Sequence, residues 1–69
     1  MSDSVYKIIE LVGTSPVSWE EAAKNAIARA SKTLRDLRIA EVSAMDLHIK
    51  DGEVEFYRTK VKLSFKFEG

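Results

Sequence analysis

The chain has 69 residues, no cysteine, and 11 basic against 11 acidic side chains. That length limits it to one domain spanning 1–69, the lack of cysteine excludes disulfides and thiolate metal sites, and the neutral balance argues against a nucleic-acid partner, whose affinity rests on neutralising phosphates. A chain this short buries only about 60% of its unfolded surface, so self-association is the staple left open to it. No apolar run reaches the roughly 20 residues of a membrane span. The polar start Met1-Ser2-Asp3-Ser4 does not read as a signal peptide, so a cytoplasmic location is expected, with secretion left open.

The first predicted element is a strand, Val5 to Val12, rich in β-branched and aromatic residues. Val5, Ile9 and Leu11 point one way and Tyr6, Ile8 and Val12 the other, which predicts a strand covered on both faces. Gly13-Thr14-Ser15-Pro16 then breaks the pattern. Such a loop before a helix suits either a bound anion or a plain tight turn; no Walker-type spacing is present, which favours the turn.

A helix is predicted from Ser18 to Arg38, with apolar residues at Ala23, Ala26, Ile27, Ala30, Leu34 and Leu37 on one face. Ser18 and Glu21 have the spacing of a capping box, and Val17 with Ala22 that of a hydrophobic staple. Lys32, Arg35 and Arg38 place positive charge at the far end, where the helix dipole is negative.

Ile39 to Lys50 and Glu53 to Glu68 read as two strands joined at Asp51-Gly52, a strong hairpin signal. Counting back from a two-residue turn sets Lys50 opposite Glu53, His48 opposite Glu55, Leu47 opposite Phe56, Met45 opposite Arg58 and Val42 opposite Val61. One side then carries Ala40, Val42, Ala44, Tyr57, Thr59, Val61, Leu63, Phe65 and Phe67, and should lie on the helix. The other side gathers Met45, Leu47, Ile49, Val54 and Phe56 near the turn, facing away from the one helix available. Large contiguous apolar patches are rare on monomers, so these five residues are predicted to form an oligomer interface. The alternative is a bulge that turns them inward. The order strand–helix–strand–strand predicts an α+β fold, a single β-α-β-β domain. Its three-stranded antiparallel sheet, order 1-3-2, wraps on the helix through a right-handed crossover.

Candidate chemistry is sparse. The single histidine, His48, is expected in a surface cross-strand pair with Glu55; no nucleophile pair or acid/base carboxylate pair stands out, and no enzyme is predicted. Trp19, at the first helical turn, is read as a packing anchor or an interface residue. Arg58, Lys60, Lys62 and Lys66 alternate along the last strand, in a row that suits either a phosphate or balancing acids such as Glu41.

Val5-Tyr6-Lys7-Ile8-Ile9-Glu10-Leu11-Val12-Gly13-Thr14-Ser15-Pro16, Ala28-Arg29-Ala30-Ser31-Lys32-Thr33-Leu34, Ile39-Ala40-Glu41-Val42 and Val61-Lys62-Leu63-Ser64-Phe65-Lys66-Phe67 together resemble the dodecin family over essentially the whole chain. The resemblance implies a hollow dodecamer built from one kind of subunit, a homododecamer, that stores or buffers flavins (riboflavin, FMN or FAD) without turnover. It further implies three ligand-binding positions. The flavin-stacking tryptophan falls at Ile39, the glutamine that reads the ring edge at Arg58, and a phosphate-binding arginine at Lys66. Isoleucine has no π-face, and arginine has no acceptor for a ring N–H. The chain therefore looks closer to a tryptophan-lacking branch that includes a calcium-associated form, which implies as the alternative a dodecameric shell with no flavin role, either purely structural or binding calcium or another cation, with metal ligands unassigned.

Overall fold

The structure is a computed structural model and describes residues 4–66. Its elements are β1 (Tyr6–Ser15), α1 (Trp19–Ala30), β2 (Leu37–Lys50) and β3 (Glu53–Lys66), with the sheet in the order β1-β3-β2 and both neighbours antiparallel to β3. The expected architecture and strand order are those observed. Phe67 and the expected end of the last strand lie outside the described residues.

Gly13, Thr14 and Ser15 belong to β1 rather than to a break after Val12. The turn is made afterwards, where the buried Ser15 hydroxyl accepts the Val17 N–H at 2.9 Å. Val17 itself is exposed, while Ala22 is fully buried beneath β1, so the expected staple between them is not formed. The cap is formed: Ser18 Oγ accepts the Glu21 N–H at 3.0 Å. Ser18→Ala is expected to cost about 1 kcal/mol of stability, seen as a lower urea midpoint with an unchanged slope.

The helix stops at Ala30, eight residues before its predicted end at Arg38. The Ser31 hydroxyl bonds back to the Ala28 carbonyl at 2.9 Å, and the Lys32 N–H reaches Arg29 in a tighter turn at 3.3 Å. Such back-bonding competes with the helical ladder. Asp36 then takes a left-handed backbone, φ 59°, which a helix cannot contain. Leu34 and Leu37 still pack on the core, from the connection and from the first residue of β2, so their helical spacing was only apparent.

The core is small. Ala22, Ala26, Ala30, Val61 and Leu63 are buried, with Ile9, Leu11, Ala23 and Ile27 packed around most of them. The helix lies over β1 and β3 and scarcely over β2. Twelve helical residues cover about 18 Å, whereas the 14 residues of β2 run about 48 Å. The sheet thus outruns its only cover, and the molecule measures 55 × 21 × 15 Å. The chain exposes 5408 Å², where a compact monomer of this length would expose about 4,400 Å².

The hairpin turn is as expected, with Asp51 and Gly52 both at positive φ and Lys50 opposite Glu53. Three register shifts interrupt the pairing beyond it, at His48/Ile49, at Val42/Ala44 and, at the far end, at Leu37/Ile39. At the first, Glu55 and Phe56 both face His48: its Nε2 lies 3.3 Å from Glu55 Oε1 and its ring stacks on Phe56 at 4.6 Å, 3° from parallel. At the second, Ser43 is the extra residue and its hydroxyl donates to the Lys60 carbonyl at 3.3 Å. Between the bulges the pairing is shifted by one, so Leu47 opposes Tyr57, Met45 opposes Thr59 and Asp46 opposes Arg58; beyond Ser43 the expected Val42–Val61 pairing returns.

A one-residue shift exchanges faces. Met45, Leu47 and Ile49, with Val54 opposite Ile49, lie on the helix side of the sheet rather than on its outer side, and Ala44 lies outside rather than inside. Of the five expected interface residues only Phe56 faces outward, against His48.

Candidate functional site

Two surfaces are candidates, one on each face of the sheet. On the helix side, Trp19 ties the start of α1 to both long strands. Its Nε1–H donates to the Asp46 carbonyl at 3.0 Å, its own carbonyl accepts the Thr59 hydroxyl at 2.9 Å, and its ring meets Tyr57 edge-on at 5.1 Å. Beside it a groove of about 290 Å³ is lined by Ala23, Val42, Met45 and the stem of Lys24. From this groove an apolar strip continues past the helix through Leu47 to Ile49 and Val54. Met45 is 58% and Ile49 64% exposed. The expected apolar cluster is therefore largely real, but it sits on the side where the helix runs out.

The outer face is ordered by the middle strand. Tyr57, Thr59, Val61 and Leu63 face the helix, so Phe56, Arg58, Lys60, Lys62 and Ser64 face outward, and registered neighbours share their face. Reading across the sheet gives the rows Ile8–Ser64–Ile39, Glu10–Lys62–Glu41, Val12–Lys60–Ala44 and Thr14–Arg58–Asp46. Lys62 stands in register between Glu10 and Glu41. Tyr6, Ile8 and Val12 are exposed on this face, so within one chain β1 is covered on one side only.

Arg58 is held by a two-point pair with Asp46, Nε to Oδ1 at 2.6 Å and Nη2 to Oδ2 at 2.9 Å. Hydrogen bonding from Arg58 holds the Asp46 carboxyl below its usual range, and the charges of Arg58 and Lys60 act in the same direction. The same hydrogen bonding raises the Arg58 pKa. A lowered carboxyl pKa leaves the pair closed at neutral pH and opens it only when pH falls through the depressed value.

The structure does not bring Ile39, Arg58 and Lys66 together within one chain. Ile39 pairs with Ser64, six residues from Arg58 along β3, a separation of about 20 Å. Lys66 is two residues from Ser64, opposite Tyr6. Ile39 and Lys66 thus share one end of the outer face and Arg58 occupies the other. Asp46 escaped the sequence reading because the extra residue Glu55, not foreseen in counting back from the turn, sets it opposite Arg58.

This β-α-β-β arrangement has clear relatives. A family model described as Dodecin matches residues 5–68. The chain belongs to the dodecin family. The structure of dodecin from Streptomyces coelicolor superposes with a TM-score of 0.93 at 42% identity, covering 100% of this chain and 99% of that one. Dodecin of Thermus thermophilus is 42% identical over 64 residues, 93% of each chain. Calcium dodecin of Mycobacterium tuberculosis is 44% identical over 63 residues, 91% of this chain and 89% of that protein. Its solved structure, described as calcium chelating with a novel calcium-binding site, superposes with a TM-score of 0.84, covering 94% of this chain and 93% of that one. These likenesses show the family and do not separate a tryptophan-lacking branch within it; the chain itself carries a tryptophan, Trp19. Trp19 lies on the helix side, the opposite face from Ile39.

Proposed function

We propose that this dodecin is a non-catalytic shell protein in which residues 1–69 act as one domain, assemble into a homododecamer in the cytoplasm and buffer a small ligand. The observation that carries the reading is the uncovered apolar strip Val42–Met45–Leu47–Ile49–Val54 on a chain that exposes about 1,000 Å² more than a compact monomer should. Copies of the chain are its natural cover, since the sequence holds no disulfide to stabilise so small a core. Phe56, on the outer face, would contribute to a second contact. Native mass spectrometry gives subunit number and bound mass together. Twelve chains are expected; a folded single chain at micromolar concentration would overturn the reading.

Flavin is the first ligand class to test, and weak binding is expected. Ile39 is 64% exposed on the outer face but supplies no ring to stack on. Ile39 and Lys66 are remote from Arg58 in one chain, so a flavin touching all three would bridge copies. Ile39→Trp should tighten riboflavin binding by up to about tenfold, read by quenching of riboflavin fluorescence. Submicromolar binding by the unmodified protein would show that another aromatic supplies the stacking surface.

A cation is the second reading, favoured by the likeness to calcium dodecin. Among the described residues of one chain no group of three or more His, Asp or Glu side chains is placed to hold a metal. A calcium ion would therefore draw on carbonyl oxygens or on more than one copy.

A further inference from the structure

We propose that His48 and Glu55 form a binding site for a divalent metal ion of the zinc class, held by His48 Nε2 and a Glu55 carboxylate oxygen with water in the remaining positions. The bulge nearest the turn builds the site. Strand alternation alone would put Glu55 and Phe56 on opposite faces, whereas the extra residue sets both against His48. Re-aiming a side chain is what bulges do. Nε2 and Oε1 stand 3.3 Å apart. Zinc takes imidazole nitrogen and carboxylate oxygen at about 2.0–2.2 Å in a tetrahedron, two corners of which are about 3.3–3.5 Å apart. A charge-assisted hydrogen bond would draw the two atoms closer, to about 2.7–2.9 Å. The pair therefore has the spacing of a chelate.

The surroundings suit such an ion. The two side chains are 48% and 42% exposed, which leaves room for a cation that keeps some of its water. The imidazole plane is fixed by its stack on Phe56, so one ligand is oriented before the metal arrives. The donor pair also selects the metal: imidazole suits zinc, copper and nickel, whereas calcium takes oxygen ligands. The sequence has no cysteine and a single histidine, so His48 is the one imidazole such an ion can use. Asp46, two residues before His48, is engaged at both oxygens by Arg58. Among the described residues no group of three is placed to hold a metal, so the site has two protein ligands and is open to water. Both ligands come from one chain, so the inference goes beyond the ligand-buffering reading and depends neither on the twelve-subunit shell nor on a flavin.

The test titrates the untagged protein, stripped of metal with EDTA and then freed of the chelator, with zinc chloride in a calorimeter. About one zinc per chain is expected, with a Kd tighter than about 100 μM. Losing either ligand turns a chelate into a single contact, so His48→Phe and Glu55→Gln should each weaken binding about tenfold or more. Phenylalanine keeps a ring against Phe56 and glutamine keeps the length of the glutamate. Native mass checks that each variant assembles as the unmodified protein does, and His48→Gln replaces His48→Phe if it does not. Glu53→Gln removes a nearby acid, opposite Lys50, and should leave the zinc affinity unchanged. Calcium at about a hundredfold excess should leave the zinc in place, since it has little affinity for imidazole. No zinc uptake, uptake that survives loss of the His48 imidazole, or equal losses in Glu53→Gln and Glu55→Gln overturns the proposal. So does displacement of zinc by calcium, which would make this an oxygen-donor site. Failure of the shell reading appears instead in the native mass, with the zinc affinity intact.

Discussion

A chain carrying Met45→Glu and Leu47→Glu is expected to lose the twelve-subunit assembly and appear in native mass spectrometry as single chains or small, poorly folded species. Both residues are on the helix side of β2, where α1 offers almost no cover. Met45 lines the groove beside Trp19, and Leu47 continues the strip opposite Tyr57. Each apolar side chain that a neighbouring copy covers is worth about 1.5–3 kcal/mol, and a buried, unpaired carboxylate adds a further penalty. In a closed particle the loss recurs at every subunit, so two substitutions act many times over. Phe56→Asp is the informative comparison. It alters the outer face and the stack on His48, so it should leave the Trp19 groove intact and report on a different contact. If Met45→Glu/Leu47→Glu still assembles as twelve and Phe56→Asp does not, the interface is on the outer face and the helix-side strip is ordinary surface.

The strand order and the turn were legible because they rest on local signals: Asp51-Gly52 sets a two-residue turn, and a single helix between strands demands a crossover. Helix length was not legible, because Leu34 and Leu37 happen to continue a helical spacing that Ser31 and Asp36 bring to an end. That end depends on a hydroxyl bond to Ala28 and a left-handed residue, neither of which periodicity records. Register failed for a related reason. Counting from the turn is correct at Lys50 and again at Val42, and wrong between, where Glu55 and Ser43 each add a residue. These two bulges cancel in register, so the pairings at Ile49 and Val42 on either side do not betray them. Their effect on the candidate site is large: they carry Met45 and Leu47 to the helix side and bring Asp46 against Arg58.

Gly13→Ala is expected to be the most damaging single change in the chain. A methyl group at this position would stand 2.0 Å from the Ala22 carbonyl oxygen, 2.9 Å from its carbon and 3.0 Å from Ala26 Cβ. Two of the three obstacles are helix backbone, which cannot rotate aside as a side chain can. Relief requires α1 to lift from β1, and Ala22 and Ala26 are two of the five buried apolar residues that make the core. Lifting the helix also strains the Asn25 Nδ2 bond to the Thr14 carbonyl, 2.9 Å long, and the Trp19 contacts at its start. Overpacking of this kind costs about 1–3 kcal/mol when side chains can adjust. With backbone as the obstacle the cost should reach about 3 kcal/mol or more, a large share of a total of roughly 5–15 kcal/mol. Gly52→Ala is the control. Gly52 has a positive φ of 77° but nothing within 4 Å of an added methyl, so it should lose only the conformational cost, about 1–2 kcal/mol. Urea unfolding of both variants at one protein concentration separates close approach from backbone freedom, since assembly makes stability concentration-dependent. Equal losses would mean that β1 and α1 can part by an ångström without harm, and that the glycine serves flexibility alone.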